Sequence, residues 1–396
     1  MKKLLENEIY IEEIEKMLKL TFIEYERLKD KTILISGATG MIGSFMIDVI
    51  MRLNENRKMN CKVYAIGRNE ERARSRFCKY LNDENFNFIF ADINTPLLTE
   101  LMEKVDFVIH LASNTHPIAY ATDPIGTIIT NIEGTRNMLD FSVKHKAKRF
   151  VFASSCEIYG ENRGDIEKFG EKYLGYIDCN TMRAGYPESK RCGEALCQAY
   201  MLQKNIDVVI PRLSRIFGPT MLMNDSKALS QFIKNGINCE DIILKSEGNQ
   251  HYSYLYVADA VSAIIKIMLD GQSGEAYNVS DEKCDIKLKD LAKIIANIAE
   301  TNVVFEQPNN IEANGFSKAT KARLDNEKIE KIGWKAQYNI NDGVKNTIRI
   351  LKGCKIWIYY LYKVVQGLEY VKMEKNMLTE ILTIIYGIGI NLIART

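Results

Sequence analysis

Between residues 32 and 210 the sequence alternates short, uniformly apolar runs with longer stretches of helical periodicity. The apolar runs are rich in β-branched and aromatic residues, which favour strands. Strands are predicted at 32–35, 62–66, 86–90, 107–111, 150–153 and 208–210. Buried strands that alternate with helices form a parallel sheet with helices on both faces. The pattern therefore predicts an α/β fold, with a doubly wound parallel sheet over residues 31–210.

The remaining chain is predicted to form three further segments. Beyond Pro211, loop signals such as Gly218–Pro219 interrupt the alternation, and residues 211–352 are predicted to be a smaller C-terminal α/β lobe above the carboxyl edge of the sheet. Helices of this lobe are predicted at 226–235, 257–270 and 287–300. Residues 1–30 are predicted to be an amphipathic helix that packs on the body or on a second subunit. Residues 353–396, rich in Ile and Tyr, are predicted to be an accessory tail.

The composition narrows the classes of function. Lys and Arg number 53 against 51 Asp and Glu, and a net charge of +2 does not favour binding to nucleic acid. Nine scattered cysteines without a C-x-x-C pair indicate a reducing compartment. With four histidines and no Cys/His spacing typical of zinc, no metal site is predicted.

The longest uncharged apolar stretch, Ile381 to Ala394, is too short to cross a bilayer as a helix. We therefore predict a cytoplasmic protein. Trp357 and the tyrosines that follow it could bring the tail onto a membrane surface or a partner. Burial of the tail against the rest of the protein is the favoured alternative.

A glycine-rich segment joins the first strand to the first helix. Gly37-Ala38-Thr39-Gly40-Met41-Ile42-Gly43 has the spacing G-x-x-G-x-x-G. Glycine lets a pyrophosphate approach the backbone N–H groups, and the helix N-terminus adds partial positive charge. Because the segment lies between a buried strand and a helix, it predicts a Rossmann-like site for a dinucleotide rather than an ordinary tight turn.

The end of the second strand bears on the choice between NAD and NADP. In NAD-binding proteins an acidic residue near this point holds the ribose 2′-hydroxyl. Here the strand ends in Gly67-Arg68-Asn69, and Arg68 could meet a 2′-phosphate, stack on adenine or lie in solvent. Both cofactors therefore stay open.

A second motif, Tyr186-Pro187-Glu188-Ser189-Lys190, places Tyr186 and Lys190 on one face of a predicted helix. A nearby ammonium favours the phenolate, so we expect a lowered pKa for Tyr186. Such a tyrosine can take a proton from a sugar hydroxyl while hydride leaves for a nicotinamide ring. Ser155, which follows the fifth predicted strand, is expected to hydrogen-bond the same oxygen.

In these motifs the chain resembles the extended short-chain dehydrogenases/reductases of the nucleotide-sugar epimerase/dehydratase group. The resemblance runs from about Lys31 to Lys352. Between the glycine turn and Tyr186 the family's recurrent pieces occur in order, namely Asp92-Ile93, His110-Leu111-Ala112-Ser113, Asn131 with Gly134-Thr135, and Ser155 with Tyr159-Gly160. After Lys190 come Phe217-Gly218-Pro219 and Tyr256-Val257-x-Asp259.

The resemblance implies an enzyme that binds NAD or NADP tightly, oxidises a nucleotide-linked sugar at C4 and forms a homodimer. It also implies cofactor contacts from the glycine turn, from Tyr186 and Lys190, and from Arg68, Asp92, Ile93, Leu111, Ala112, Ser113 and Asn131. Such enzymes supply sugars for surface polysaccharide.

Residues after Ser155 distinguish the reactions of such enzymes. The 4,6-dehydratases carry Asp-Glu there, whereas Cys156-Glu157 resembles the small residue and Glu of UDP-glucuronate decarboxylases. Glu157 is therefore a catalytic candidate. At the substrate side, Tyr252 stands where the decarboxylases carry an arginine, and Arg215 stands where they carry an asparagine. Because a decarboxylase must orient a carboxylate, Arg215 or Arg183 would have to supply the missing cation.

Four alternatives keep the same fold and change the function. A 4-epimerase would use the same oxidation at C4, and a net reductase would consume reduced cofactor. A 4,6-dehydratase is disfavoured because the thiol of Cys156 is a poor substitute for an acid. A non-catalytic dinucleotide-binding scaffold is disfavoured because Ser155, Tyr186 and Lys190 occur together.

Overall fold

The structure, a computed structural model, describes residues 4–97, 104–115, 117–308 and 319–354. Its strands are β1 (Thr32–Ser36), β2 (Lys62–Gly67), β3 (Phe86–Phe90), β4 (Phe107–His110), β5 (Arg149–Phe152), β6 (Ser154–Ser155), β7 (Val208–Leu213), β8 (Arg215–Phe217), β9 (Ile242–Leu244), β10 (His251–Tyr256), β11 (Ala276–Val279), β12 (Asp285–Lys287), β13 (Val303–Phe305) and β14 (Lys321–Ala322). Its helices are α1 (Glu8–Leu18), α2 (Met41–Arg57), α3 (Glu70–Arg76), α4 (Pro117–Thr122), α5 (Pro124–Lys144), α6 (Gly185–Lys204), α7 (Ala228–Asn238), α8 (Val257–Asp270), α9 (Leu288–Ala299), α10 (Glu327–Lys331) and α11 (340–354).

The central sheet has the order β11-β7-β5-β4-β1-β2-β3, with the short β6 also paired to β7. Every one of these pairs is parallel. This confirms the predicted doubly wound parallel sheet and the six predicted strands. The strand order reverses direction at β1, so the carboxyl ends of β1 and β4 flank the crevice where such sheets bind ligands.

Helices cover both faces of the sheet because neighbouring residues of each strand point to opposite faces. In β1, Ile33 and Ile35 belong to one hydrophobic core and Leu34 belongs to the other. Helices α2 and α8 pack together on the first face, and α5 packs along α6 on the second. The apolar positions of the strands thus fix the two layers of helices that cover the sheet.

The C-terminal part forms its own small sheet, in which β10 pairs with β8, β12 and β14. A separate pair is formed by β9 and β13. The predicted boundary at residue 210 falls inside β7, and β11 returns from the C-terminal part to complete the central sheet. The two parts are therefore interleaved in the central sheet.

The N-terminal segment differs from the single helix predicted over residues 1–30. The described helix α1 spans Glu8–Leu18, and a separate 3₁₀ turn covers Tyr25–Leu28. Asn7 caps α1 by accepting the N–H of Tyr10, and Tyr10 and Ile14 are fully buried. Helix α1 packs against α2 and α8 of the same chain.

None of the helices in the described ranges has the length and apolar character needed to span a membrane. The predicted tail beyond Cys354, with the apolar stretch Ile381 to Ala394, lies outside the described residues.

Candidate active site

The glycine turn lies between β1 and α2, as predicted. Gly37 has a φ of +70°, and a Cβ there would lie 2.8 Å from the backbone nitrogen of Ala112. A Cβ on Gly43 would lie 2.6 Å from the carbonyl oxygen of Gly37. Side chains are therefore excluded from the two positions that close the turn.

The start of α2 suits an anionic ligand. Gly40 is its N-cap residue and offers no side chain to accept the first N–H groups of the helix. These groups have no partner within a helix and carry partial positive charge. Met41 and Ile42 follow at the half-buried first turn, beside Thr39. The donor set and the absence of side chains fit a pyrophosphate, so the turn fits a dinucleotide.

Other predicted cofactor residues lie at the same edge of the sheet, because parallel strands place all their carboxyl ends there. Arg68 directly follows β2 and is exposed. Asp92 and Ile93 follow β3, and the carboxylate of Asp92 accepts the N–H of Asn94. Leu111, Ala112 and Ser113 follow β4. The structure therefore brings these residues to the edge that carries the glycine turn.

Asn131 of α5 ties this edge to α6. Its amide donates to the hydroxyl of Ser189 at 2.9 Å, and its side-chain oxygen accepts from the hydroxyl of Ser113 at 2.6 Å. One buried amide thus joins the loop after β4 to the helix that carries Tyr186 and Lys190.

Beneath the edge, His110 at the end of β4 is fully buried and hydrogen-bonds Ser36 at 2.7 Å and Thr135 at 3.2 Å. Burial and the charge of Lys190 lower the pKa of His110 to about 3, so this ring is neutral. Its role is structural, since both of its nitrogens are used to join β1, β4 and α5.

Helix α6 approaches the sheet closely because Gly193 has no side chain. A Cβ on Gly193 would lie 2.4 Å from the ring of Phe152 in β5. The approach allows the ammonium of Lys190 to donate to the carbonyl oxygen of Ala153 at 2.8 Å. Burial lowers the pKa of Lys190 to about 8, against its ordinary 10.5.

Tyr186 lies one helical turn before Lys190 and is buried. Its phenol is close enough to Ser155 for the hydroxyl of that residue to lower the pKa of Tyr186. The ring of Tyr120 packs against it with centroids 4.8 Å apart. The structure thus brings Ser155, Tyr186 and Lys190 to one point at the carboxyl edge.

The expected lowering of the pKa of Tyr186 is wrong for this structure. Burial raises the pKa of Tyr186, and the charge of Glu157 raises it further, while Ser155 and Arg183 act in the opposite direction. The ammonium of Lys190 instead has a carbonyl oxygen as its hydrogen-bond partner. Desolvation of the phenolate outweighs the attraction that the sequence argument relied on.

Glu157 and Arg183 form an ion pair at the mouth of the site. The guanidinium of Arg183 also lies 4.5 Å from the ring centroid of Tyr120. Both side chains line a cavity of about 520 Å³, to which Cys156 and Arg215 also contribute. Glu157 therefore has a cation as its partner, and Arg183 is already neutralised by a carboxylate.

Arg215, which lines the cavity, packs against the ring of Tyr252. The guanidinium carbon of Arg215 lies 3.5 Å from the ring centroid of Tyr252, and its Nη1 is 3.8 Å from the sulfur of Cys156. The Tyr252 hydroxyl donates to the carbonyl oxygen of Ala319 at 2.7 Å, which fixes the ring. The three predicted substrate-binding residues, Arg183, Arg215 and Tyr252, thus lie around one cavity or against its wall.

Comparison with known proteins agrees with this arrangement. The sequence profile of the NAD dependent epimerase/dehydratase family matches residues 33–280, which is more than half of the chain. The chain belongs to this family. The family is one of NAD-dependent enzymes, so the expectation of a nicotinamide cofactor and a catalytic protein is confirmed.

Proteins similar to this chain include enzymes with different reactions. UDP-glucuronic acid decarboxylase 3 of Arabidopsis thaliana is 29% identical over 312 residues, covering 79% of this chain and 86% of the relative. A dTDP-glucose 4,6-dehydratase from Streptomyces venezuelae, solved with NAD, superposes with a TM-score of 0.72 at 21% identity over 82% of this chain and 98% of that one. A UDP-glucuronic acid 4-epimerase from Bacillus cereus gives 0.70 at 20% identity, with 82% and 99% coverage.

Sequence reasoning missed Tyr120 as a part of the site of this family member. It is buried between Tyr186 and Arg183, although no motif marks it. It also missed the ion pair between Glu194 of α6 and Arg212 of β7, joined by two hydrogen bonds of 3.0 and 2.7 Å. The one available signal was the spacing of Glu194, four residues after Lys190 on the same helix.

Proposed function

We propose that this family member is a UDP-glucuronate decarboxylase that oxidises the sugar at C4, releases the C6 carboxylate as CO₂ and reduces the sugar again. The observation that carries the proposal is that Ser155, Tyr186 and the buried Lys190 converge at the edge that carries the glycine turn. The decarboxylase relative from Arabidopsis thaliana and the pair Cys156-Glu157 favour this reaction over the others.

The chain's own residues would hold the cofactor at three points. The first turn of α2 would receive the pyrophosphate, and Asp92 lies where the family resemblance implies adenine. The bound nicotinamide supplies the acceptor and the donor of the hydride. Arg68 is exposed and follows β2, where the ribose 2′-hydroxyl of NAD or the 2′-phosphate of NADP would lie, so we propose NAD or NADP. The mass of the cofactor released on denaturation distinguishes the two.

Tyr186 is proposed to be the base that takes the proton of the C4 hydroxyl. Its phenolate must form inside a buried site, so groups that stabilise the anion matter. The hydroxyl of Ser155 and the cation of Arg183 both lie close enough to lower the pKa of Tyr186. The buried ammonium of Lys190, one turn away, adds positive charge on the same face of α6.

The oxidised sugar then loses its carboxylate. The C4 ketone is β to the C6 carboxylate, so the C5–C6 bond can break and leave its electron pair as an enolate whose negative charge rests on O4. Tyr186, protonated by the first step, and Ser155 both donate to that oxygen and stabilise the charge where it develops. Protonation at C5 restores the ketone, and Tyr186 returns its proton to O4 when hydride is delivered to C4.

The test is a screen of UDP-, dTDP-, GDP- and CDP-sugars with purified full-length protein, followed by mass spectrometry of the products. The proposal expects UDP-glucuronate to lose CO₂, with no net consumption of added NAD(P)H. Loss of water from another sugar would indicate a dehydratase. An unchanged mass with inverted C4 would indicate a 4-epimerase, and a gain of two hydrogens would indicate a reductase.

We further propose a homodimer, in line with the family resemblance. On α5, Ile125 is 75% exposed and Ile129 is 43% exposed, one helical turn apart. On the neighbouring α6, Leu202 is 85% exposed. Such apolar side chains on two adjacent helices suit burial against the same pair of helices from a second subunit.

A further inference from the structure

We propose that Arg215, held in place by the ring of Tyr252, is the cation that binds and orients the carboxylate of the substrate. This inference rests on the proposed function and adds the residue that selects a uronic acid over a neutral sugar. The decarboxylases that this chain resembles carry an arginine at the position of Tyr252 and an asparagine at the position of Arg215. Here the cation is supplied from the neighbouring strand.

Strand pairing brings the two side chains together. β8 runs parallel to β10 with Arg215 opposite Tyr254, so Tyr252 lies two residues earlier on β10 and on the same face. The guanidinium lies 3.5 Å from the centroid of the Tyr252 ring. A stacked guanidinium keeps its N–H groups in its own plane, where they can donate to both oxygens of a carboxylate.

The Tyr252 ring is itself fixed. It is buried, and its hydroxyl donates to the carbonyl oxygen of Ala319 at 2.7 Å. The platform under Arg215 is therefore held by a hydrogen bond as well as by packing, so the arginine loses little further freedom when it binds an anion.

The two arginines of the cavity differ in charge balance. Arg183 is paired with Glu157, whereas Arg215 has no carboxylate within ion-pair distance among the described residues. The hydrogen-bond contact that it makes there is with the sulfur of Cys156, a weak acceptor. A half-buried guanidinium without a counterion has lost hydration that an anionic ligand would replace. Of the two arginines in this cavity, Arg215 is thus the one available to bind an anionic ligand.

The position of Arg215 indicates which charged group of a nucleotide-sugar it would meet. Cys156 directly follows Ser155, whose hydroxyl is close enough to Tyr186 to lower the pKa of its phenol. Arg215, in contact with Cys156, therefore lies beside the point where C4 is oxidised. In a pyranose ring C5, which bears the carboxylate, adjoins C4, whereas the diphosphate is attached to C1 on the opposite side. The carboxylate is the nearer anion.

The first test compares Arg215→Gln with the wild-type protein by calorimetric titration with UDP-glucuronate, UDP-glucose and UDP. Loss of a charge-assisted hydrogen bond is expected to weaken UDP-glucuronate binding roughly 10- to 100-fold and to change UDP and UDP-glucose binding by less than about threefold. An equal loss for all three ligands would assign Arg215 to the diphosphate and overturn the inference. So would unchanged affinity for UDP-glucuronate.

Two further variants serve as a matched control and as a rescue experiment. Arg57→Gln removes an arginine that also lies over a tyrosine, Tyr25, at 5.6 Å on the far end of α2, and it should leave all three affinities unchanged. The exchange Arg215→Asn with Tyr252→Arg moves the cation back to β10 and should recover a large part of the UDP-glucuronate affinity. A double variant that folds, binds UDP and still fails to bind UDP-glucuronate better than Arg215→Asn alone would contradict the inference.

Failure of the inference and failure of the proposed function give different results. If wild-type protein releases CO₂ and Arg215→Gln keeps its kcat/KM for UDP-glucuronate, the inference alone is wrong. If wild-type protein binds UDP-glucuronate through Arg215 without releasing CO₂, the carboxylate site stands and the proposed reaction is wrong.

Discussion

A buried ion pair anchors the N-terminal segment to the nucleotide-binding sheet and gives the sharpest stability prediction. Asp48 of α2 is 0% exposed and Arg76 of α3 is 1% exposed. The carboxylate of Asp48 is paired with Arg76 and also accepts hydrogen bonds from the hydroxyls of Tyr10 and Tyr80. Because Tyr10 belongs to α1, this network holds α1 on the body of the protein.

The change Asp48→Asn keeps the size of the side chain but removes its charge. It leaves the guanidinium of Arg76 buried without a counterion. In addition, the NH₂ group of the new amide faces hydrogen-bond donors from which a carboxylate oxygen of Asp48 accepted. Removing one partner of a buried pair costs about 3–5 kcal/mol. We therefore expect the free energy of unfolding to fall by that amount.

The assay is urea unfolding followed by circular dichroism, with wild-type, Asp48→Asn and a surface control. Asp140→Asn is the control, because Asp140 also accepts from a tyrosine, Tyr200, but is exposed, so a loss below about 1 kcal/mol is expected. Replacing both partners by apolar residues, Asp48→Leu with Arg76→Met, should cost less than Asp48→Asn alone. A loss below about 1 kcal/mol for Asp48→Asn would refute the reasoning, because the charge of Arg76 would then not depend on Asp48.

Three more predictions test other parts of the structure. Burial raises the pKa of Glu13 from 4.5 to about 7, so the folded state binds more protons between these values and stability falls as pH rises. Glu13→Gln should therefore flatten the dependence of Tm on pH across that range, and a slope like that of wild type would contradict this. Gly193→Ala should lower kcat roughly 10- to 100-fold in steady-state assays with little loss of secondary structure, because its Cβ would push α6 from β5 and displace Lys190; unchanged kcat would show that the close approach is not needed. Ile125→Glu with Ile129→Glu should convert the proposed dimer to a monomer in light scattering, and a persistent dimer would place the interface elsewhere.

The sequence predicted the strands that a short run of apolar residues marks, and it missed those that depend on contacts between distant residues. The six strands were found because their runs are rich in apolar side chains, most of which are buried in the two cores. β11 was missed because Asn278 interrupts its pattern, yet this asparagine is fully buried. Its amide donates to the carbonyl oxygens of Phe169 and Asp325, and its side-chain oxygen accepts from Tyr159. Partners so distant in sequence leave no periodic signal.

In the candidate site, too, the local motifs were predicted and the contacts between distant residues were missed. The glycine turn and the spacing of Tyr186 and Lys190 are local, and the structure places them together. The stack of Arg215 on Tyr252 depends on the pairing of β8 with β10, and the contact of Tyr120 with Tyr186 depends on how α4 packs. The predicted lowering of the pKa of Tyr186 was wrong because the sequence shows the nearby charge of Lys190 but not the burial that outweighs it.

The most direct test of the central claim follows the hydrogen on C4 of the sugar. Full-length wild-type protein and Tyr186→Phe are given UDP-glucuronate that carries deuterium at C4, and the products are analysed by mass spectrometry. A proton taken by Tyr186 and a hydride that leaves and returns within one bound cofactor predict a decarboxylated product that keeps the deuterium, formed by wild type and not by Tyr186→Phe. Exchange of the label into water, or undiminished turnover by Tyr186→Phe, would contradict the account.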